Sequence, residues 1–368
     1  MSFPHRIPVQ LGPRRYDVLI GLRHLNRLGS VLRRLGCGTH PVVITNPTIL
    51  KGPARSVAGA LSRTGFPVAT LVVADTERSK SMATLSRLLS DLADLDKPGC
   101  RPFLVLEGGG VVGDLGGVAA GLYRRGIPYV QVPTTLLAQV DSAIGGKTAV
   151  DLPQGKNLVG LFYQPRLVFV ELGFLRSLPD RQFRSGLAEA AKCGVIRDPA
   201  LFRFLERTSV SDLRNSQRGM GWVIARAVKV KASMVEADER ETQGIRTLLN
   251  FGHTAGHALE SATHYSKAYS HGEAIAVGML VATAIARRLK MIPEPEARRI
   301  ERLIRHLGLP TTIRRASLSS IQRAMVHDKK WSVASNRWVL PVRIGRAVVR
   351  QGVPDLIVRG SLELFLEG

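Results

Sequence analysis

What most limits this chain is a change of rhythm along it. In the first half, β-branched runs at 16–20, 41–45, 68–73, 103–106, 129–132 and 167–170 alternate with stretches at 25–35, 48–63 and 81–95 whose apolar residues recur at helical spacing. Such alternation makes a mostly parallel sheet with helices on its faces, because parallel neighbours need a helix-length crossover. Past Gly173 the strand signal stops. Segments 181–195, 198–207, 217–237, 252–263, 272–290, 295–307 and 318–327 read as helices, and strand character returns only at 337–350. The 368 residues exceed the roughly 100–200 that one domain usually holds. We therefore expect an α/β domain over 1–173 and a mainly helical domain over 174–368.

Composition narrows the class. Hydrophobic residues at 45% and charged residues at 22% belong to a folded chain, not a disordered one. Mean hydropathy is +0.05, and no uncharged apolar run reaches the ~18 residues of a spanning helix, so no membrane partner is expected. The first residues lack a basic start leading into a continuous apolar stretch, so no secretion signal is expected. Cys37, Cys100 and Cys193 are odd in number and far apart, which makes no disulfide framework and fits a reducing cytoplasm. Net charge is +23, from 52 basic and 29 acidic residues. Forty of the basic residues are arginine, scattered singly over helical stretches, and aromatics are only 5%. Nucleic-acid binding calls for clustered charge or aromatics interleaved with it, so no nucleic-acid partner is expected. The surplus suits small anionic ligands.

One glycine run has the context of a dinucleotide site. The strand candidate Leu104-Val105-Leu106-Glu107 leads into Gly108-Gly109-Gly110-Val111-Val112-Gly113-Asp114, and Gly108, Gly110 and Gly113 satisfy G-x-G-x-x-G. Glycines there let backbone amides approach a pyrophosphate, and a helix N-terminus adds partial positive charge. The usual acidic residue at the end of the following strand is missing from Tyr129-Val130-Gln131-Val132-Pro133. The strand candidate ahead of the loop closes instead with Asp75 and Glu77, which predicts a ribose carboxylate in a non-standard topological position.

The next segment carries lysines between glycines: Gly145-Gly146-Lys147-Thr148 and Gln154-Gly155-Lys156-Asn157. Gly146-Lys147-Thr148 matches the end of a P-loop, but Asp141 stands where that motif needs its first glycine, so the triphosphatase reading fails. Both lysines, with the hydroxyls of Thr134 and Thr135, still suit phosphate or pyrophosphate.

Histidines gather in the second half, where His253, His257, His264 and His271 lie within 253–271. His253 and His257 are four apart, on one helix face, and His271 opens the next helix. Upstream, Glu189 and Lys192 are three apart on another helix. One carboxylate with two imidazoles is a common catalytic zinc set that leaves positions open for substrate oxygens. Spacing does not say which histidines ligate and which handles protons.

These residues together resemble the 3-dehydroquinate synthase family of sugar-phosphate cyclases. The resemblance runs from Pro8-Val9-Gln10-Leu11-Gly12 to Asp328-Lys329-Lys330 and rests on the glycine run, on 125–157, and on 185–192, 237–241 and 248–257. Two local departures are a loop at 242–246 one residue longer than the family pattern and Cys193 where an aromatic is usual. The family implies an NAD-binding α/β domain, a mostly helical metal domain, and a homodimer. It implies metal ligation by Glu189, His253 and His271, the ion being zinc or cobalt, with His257 as a catalytic neighbour. Arg125, Asp141, Lys147, Asn157, Lys192, Lys231, Arg246, Asn250 and one of Lys329 or Lys330 (Lys330 is taken here) would line the substrate site. Asp75, Lys80, Gly110, Val111, Val112, Gly113, Asp114, Thr134, Thr135, Lys147 and Lys156 would touch NAD. The implied substrate is an anionic sugar phosphate, 3-deoxy-D-arabino-heptulosonate 7-phosphate. The implied reaction joins transient oxidation, phosphate elimination, re-reduction and an intramolecular aldol closure, with no net oxidation. The rival readings are a cyclase acting on another sugar phosphate and a metal-dependent NAD polyol dehydrogenase; the charged segment 147–157 speaks against the second, whose neutral substrate needs no such charge.

Overall fold

The computed structural model describes residues 3–266, 268–327 and 336–367. By its internal contacts the chain divides into two compact units, Met1–Leu178 and Pro179–Gly368.

The first unit is built on β1 (His5–Val9), β2 (Tyr16–Gly21), β3 (His40–Thr45), β4 (Ala69–Val72), β5 (Pro102–Gly108), β6 (Tyr129–Pro133), β7 (Lys147–Leu152), β8 (Gly155–Phe162) and β9 (Leu167–Glu171). Seven of these form one sheet in the order β1-β2-β9-β6-β5-β3-β4. Only β1 runs antiparallel; every other pairing is parallel. All seven residues of β5 are buried, because both faces of the sheet are covered. Leu104 and Leu106 face Leu85, Leu88, Leu115 and Val118 on one side. Phe103 and Val105 face Leu28, Leu32, Val57 and Leu61 on the other. Full burial of such a side chain stabilises by roughly 1.5–3 kcal/mol, so the period-2 alternation of β5 fixes which helices lie on which face.

Segment 147–162, read from sequence as a lysine-bearing stretch without strand signal, is the antiparallel hairpin β7–β8, with Lys147 opposite Phe162. Its inward residues, Thr148 and Val150, are buried, while most of β8 is exposed, and its apolar run 158–162 lacks the period-2 alternation that marks a half-buried strand.

In the second unit the helices are Asp180–Ile196, Pro199–Arg207, Val210–Asn215, Gln217–Ala237, His253–Ala262, His271–Arg288, Glu294–His306, Leu318–His327 and Asp355–Glu363, with a hairpin of Arg337–Arg343 and Arg346–Gln351. Helix His271–Arg288 is buried almost all round from Gly272 to Ala286, which makes it the inner element. Its start is set by Ser270 and Glu273, placed as in a capping box, with the Glu273 carboxylate accepting from Ser270 N at 2.7 Å. That box places His271 at the first helical position. Among the described residues no helix is long and apolar enough to cross a membrane.

Glu107, near the end of β5, is fully buried, and among the described residues neither of its oxygens has a hydrogen-bond partner. Burial pushes its carboxyl well above the usual 4.5. The folded chain keeps this proton where the unfolded chain has lost it, so stability is highest below that usual value and falls as pH rises toward the folded one. Glu107→Leu should therefore stabilise on the order of 1–3 kcal/mol at pH 8 and clearly less at pH 5. Calorimetric midpoints at the two pH values check this; equal shifts would refute it.

Candidate active site

Three helices of the second unit bring a carboxylate and three imidazoles together. They approach so closely because glycines remove the side chains between them. A Cβ on Gly272 would meet Ser185 O at 2.0 Å, and one on Gly278 would meet Gly252 O at 1.9 Å. Gly252 itself has φ +81, the left-handed conformation that glycine enters without strain, and it starts helix His253–Ala262. Glu189 from Asp180–Ile196, His253 and His271 thus converge: Glu189 Oε1 lies 3.7 Å from His271 Nε2 and 3.9 Å from His253 Nε2. Both distances are long for a hydrogen bond, and one donor atom from each residue lies within 4.8 Å of the others. An ion bound at about 2.0–2.2 Å from each donor requires such an open triangle. Glu189 is 1% exposed, and Lys192, on the same helix and equally buried, pairs with its Oε2. Burial, then the charges of Lys192, His257 and His271, hold the His253 imidazole well below its usual value, which leaves it neutral and able to donate a lone pair.

A second group, His257, Glu260 and His271, shares His271. His271 turns Nε2 toward Glu189 and Nδ1 toward Glu260 Oε2, 3.4 Å away. A carboxylate on the outer nitrogen orients a metal-binding imidazole and strengthens it as a ligand. Glu260 thus supports the first group. His257 is exposed, its ring 5.1 Å from that of His253.

Two further cationic side chains of the same unit are buried. Lys231 and Arg246 are buried at 6% and 2% exposure, which is unusual enough for such groups to mark a purpose. Arg246 is held by the loop before it: Asp238 accepts from the amides of Thr242, Gln243 and Arg246, and Arg246 Nη1 donates to Glu239 O at 2.7 Å. Asn250 ends the same 3-10 turn and donates to Glu241 at 3.4 Å.

In the first unit, the glycine run opens helix Gly110–Leu122, and among the described residues no side chain caps its first amides. Uncapped amides at a helix start suit an anion. Gly108 has to be glycine for the protein's own packing, since a Cβ would lie 2.7 Å from Val112. Gly110 does not: its Cβ would meet nothing nearer than Ser142 at 3.5 Å. The space over Gly110 is a cradle that the protein itself leaves open.

Residues 70–185 match the family profile described as 3-dehydroquinate synthase N-terminal, and 186–331 match the one described as 3-dehydroquinate synthase C-terminal. A 3-dehydroquinate synthase of Pelotomaculum thermopropionicum is 44% identical over 350 residues, 94% of this chain and 93% of that one. The chain belongs to the 3-dehydroquinate synthase family. As a member of the 3-dehydroquinate synthase family it is an enzyme of the phosphate-eliminating lyase class. A solved 2-deoxy-scyllo-inosose synthase, complexed with carbaglucose-6-phosphate, NAD+ and Co2+, superposes with a TM-score of 0.89 at 27% identity, covering 98% of this chain and 100% of its own. A 2-epi-5-epi-valiolone synthase from Streptomyces hygroscopicus subsp. jinggangensis, with NAD+ and Zn2+ bound, gives 0.83 at 27% identity, covering 95% and 96%.

The residues singled out from sequence by resemblance to the 3-dehydroquinate synthase family fall into groups. In the first unit, Lys80 Nζ donates to Asp114 at 2.8 Å and to Asn157 at 2.5 Å. Burial alone would depress that ammonium, but Asp114, Glu77 and Asp151 outweigh it and raise its pKa. Lys156 reaches Glu77 at 3.4 Å. Thr134 is buried, with its amide on Gly108 O, and the Thr135 methyl lies 3.3 Å from where a Gly109 Cβ would be, so both threonines border the glycine loop. Asp141 belongs to the helical turn Ala138–Ser142, and Lys147 is exposed at the start of β7. Asp75 lies in the loop that also carries Glu77 and Lys80. It follows β4, which β3 separates from β5, and its oxygens take Asn46 Nδ2 and Thr48 Oγ1. Arg125 is on an exposed turn at the far end of helix Gly110–Leu122 from the glycine loop. Lys329 and Lys330 lie outside the described residues. Sequence reasoning missed Glu260, although it falls seven residues after His253 and three after His257 on the same helix face, and it missed the buried acid Glu107.

Proposed function

We propose that the chain converts 3-deoxy-D-arabino-heptulosonate 7-phosphate into 3-dehydroquinate and phosphate, using a bound divalent ion, zinc or cobalt, and NAD regenerated in each turnover. The observation that carries this reading is the buried Glu189 carboxylate facing His253 and His271 at distances suited to an ion. The 44% identity to a 3-dehydroquinate synthase, against 27% to cyclases of other names, favours this substrate over other sugar phosphates.

In this reading Glu189, His253 and His271 hold the ion, and the amides of 110–114, with Thr134, Thr135, Lys147 and Lys156, hold the cofactor. When bound, the ion polarises a substrate oxygen and NAD accepts and returns a hydride. Lys192, Lys231 and Arg246 supply charge for the substrate's carboxylate and phosphate, and Asn250, Asp141 and Asn157 bind its hydroxyls. Arg125 and Lys330 are proposed for the same substrate. Lys80 orients Asp114 and Asn157. Asp75 is proposed for a ribose hydroxyl, with Asn46 and Thr48 fixing its carboxylate. His257, exposed beside His253, takes and returns protons. A cytoplasmic location belongs to the same reading, supported by three free thiols, and cell fractionation checks it.

Supplied with the heptulosonate phosphate, catalytic NAD and metal, the protein should release phosphate and dehydroquinate mole for mole without accumulating NADH. Accumulation of NADH with turnover would instead favour a dehydrogenase. Gly110→Val should fold, since Ser142 is its nearest contact, yet lose NAD binding measured by titration calorimetry.

Metal content separates the imidazoles. Glu189→Ala, His253→Ala and His271→Ala should purify depleted of metal. His257→Ala should keep a near-stoichiometric ion while turnover falls about 10²–10⁴-fold. Glu260→Gln should weaken metal affinity roughly 10–100-fold. If His257→Ala is the metal-free variant, the roles of His253 and His257 are reversed.

A homodimer is also proposed, supported by the exposed apolar side chains Leu122, Leu158, Val159, Leu161 and Phe162 around the β7–β8 hairpin. Light scattering should give twice the 40.1 kDa of one chain, and Phe162→Asp should shift the mass toward the monomer.

A further inference from the structure

At the end of the sheet opposite the glycine loop, a thiol, an imidazole and a hydroxyl form a chain of hydrogen bonds. His40 begins β3 with Thr39 just before it, and Cys100 lies two residues before β5. His40 Nε2 is 3.2 Å from Cys100 Sγ, and His40 Nδ1 is 2.8 Å from Thr39 Oγ1. Thr39 Oγ1 also accepts from Arg101 N at 3.1 Å, and Arg101 O accepts from the amides of Thr39 and His40. One backbone amide therefore holds the hydroxyl, while the Arg101 carbonyl holds the Thr39 backbone. With the imidazole proton on Nδ1 and donated to Thr39, Nε2 is left as the base that accepts from the thiol. A nucleophile, a base within reach and a third group orienting the base make the arrangement that activates thiols. All three side chains are half-buried, so a small reagent can reach the sulfur. Lys97 and Arg101, both exposed beside Cys100 in the chain, add positive charge that favours an anionic reagent.

The other two thiols contrast with it. Cys37 and Cys193 are both 3% exposed, and burial pushes the Cys37 thiol up to about 11. Neither is reachable in the folded chain.

We propose that Cys100 is a base-activated thiol that exchanges with low-molecular-weight disulfides carrying carboxylates, forming a mixed disulfide on the protein. His40 Nε2 takes the thiol proton. The thiolate then attacks one sulfur, the reagent's S–S bond breaks, and the departing thiolate recovers the proton from the imidazolium. One S–S bond forms and one breaks, so the step needs no other oxidant. A low-molecular-weight thiol reverses it. The site lies at the beginning of β5 and the glycine loop at its end, so the proposal stands apart from the reading of the active site.

The test uses the full-length protein and glutathione disulfide, with peptide mass spectrometry to locate and time the modification. Cys100 should be modified about tenfold faster than the same residue in the guanidinium-unfolded chain, while Cys37 and Cys193 stay unmodified. His40→Asn should lower the Cys100 rate about tenfold, and synthase turnover should remain that of the wild type. Thr39→Val should lower the rate by a smaller factor. Cystamine, a cationic disulfide, should react more slowly than glutathione disulfide. A Cys100 in the wild-type chain that reacts no faster than in the unfolded chain overturns the proposal without any variant, and so does a folded His40→Asn protein that reacts at the wild-type rate.

Discussion

Backbone packed against backbone is the constraint on which the second unit depends. Gly272 against Ser185 and Gly278 against Gly252 leave no room for even one methyl group. Overpacking a site of this kind usually costs about 1–3 kcal/mol, and the alternative is to move the helices apart. Helix separation matters here because Glu189, His253 and His271 each stand on a different helix, and a metal tolerates donor displacements of only about 0.2 Å. The capping box of Ser270 and Glu273 adds a second restraint, fixing the first turn from which His271 projects. Glu273 is in turn clamped by Arg181, whose Nη2 approaches it to 2.6 Å, so a surface ion pair bears on the geometry of a buried centre.

The Lys192–Glu189 pair adds an electrostatic condition to this geometric one. A carboxylate buried to 1% exposure is costly without a cation, and Lys192 supplies that cation on Oε2. The other oxygen, Oε1, remains turned toward the imidazoles. One carboxylate therefore faces two positive partners from opposite oxygens, the lysine always present and the proposed ion added. Lys80 does the equivalent in the first unit, holding Asp114 and Asn157 from two different elements through one ammonium.

How much of this was legible in the sequence follows from what each signal measures. Apolar periodicity reports burial on two faces, so the strands of the large parallel sheet from β2 onward and most long helices could be read. The β7–β8 hairpin could not, because β8 is largely exposed and carries no alternation of burial. Strand order is a property of pairing, not of the strands themselves, and so the placing of β3 between β4 and β5 was invisible. The donors Glu189, His253 and His271 were picked out as residue types, but their roles came from family resemblance, since spacing along one helix treats His253 and His257 alike. Glu260 was overlooked although its spacing was available, because a glutamate on a helix face ordinarily means a solvated surface. Glu107 reads as a strand end beside glycines, and only its burial without a hydrogen-bond partner among the described residues makes it notable.

The basic surplus divides by chemistry. Of twelve lysines among 52 basic residues, Lys80, Lys147, Lys156, Lys192, Lys231 and Lys330 belong to the proposed sites, whereas most of the forty arginines lie elsewhere. Arginine's planar fork matches a carboxylate in two bonds, as Arg226 does with Asp198 and Arg299 with Glu206. Those pairs join one helix to another. Lysine's compact, rotatable ammonium can instead follow an anion whose charge moves as phosphate leaves, or satisfy two unlike acceptors at once. Surface arginines in excess of their partners add a long-range positive field, screened over about 8 Å at physiological salt. Such a field raises the encounter rate of any anion with the surface but does not distinguish one from another. In the proposed reading discrimination rests instead with the buried cations Lys192, Lys231 and Arg246, because a charge out of water is costly unless the right anion meets it.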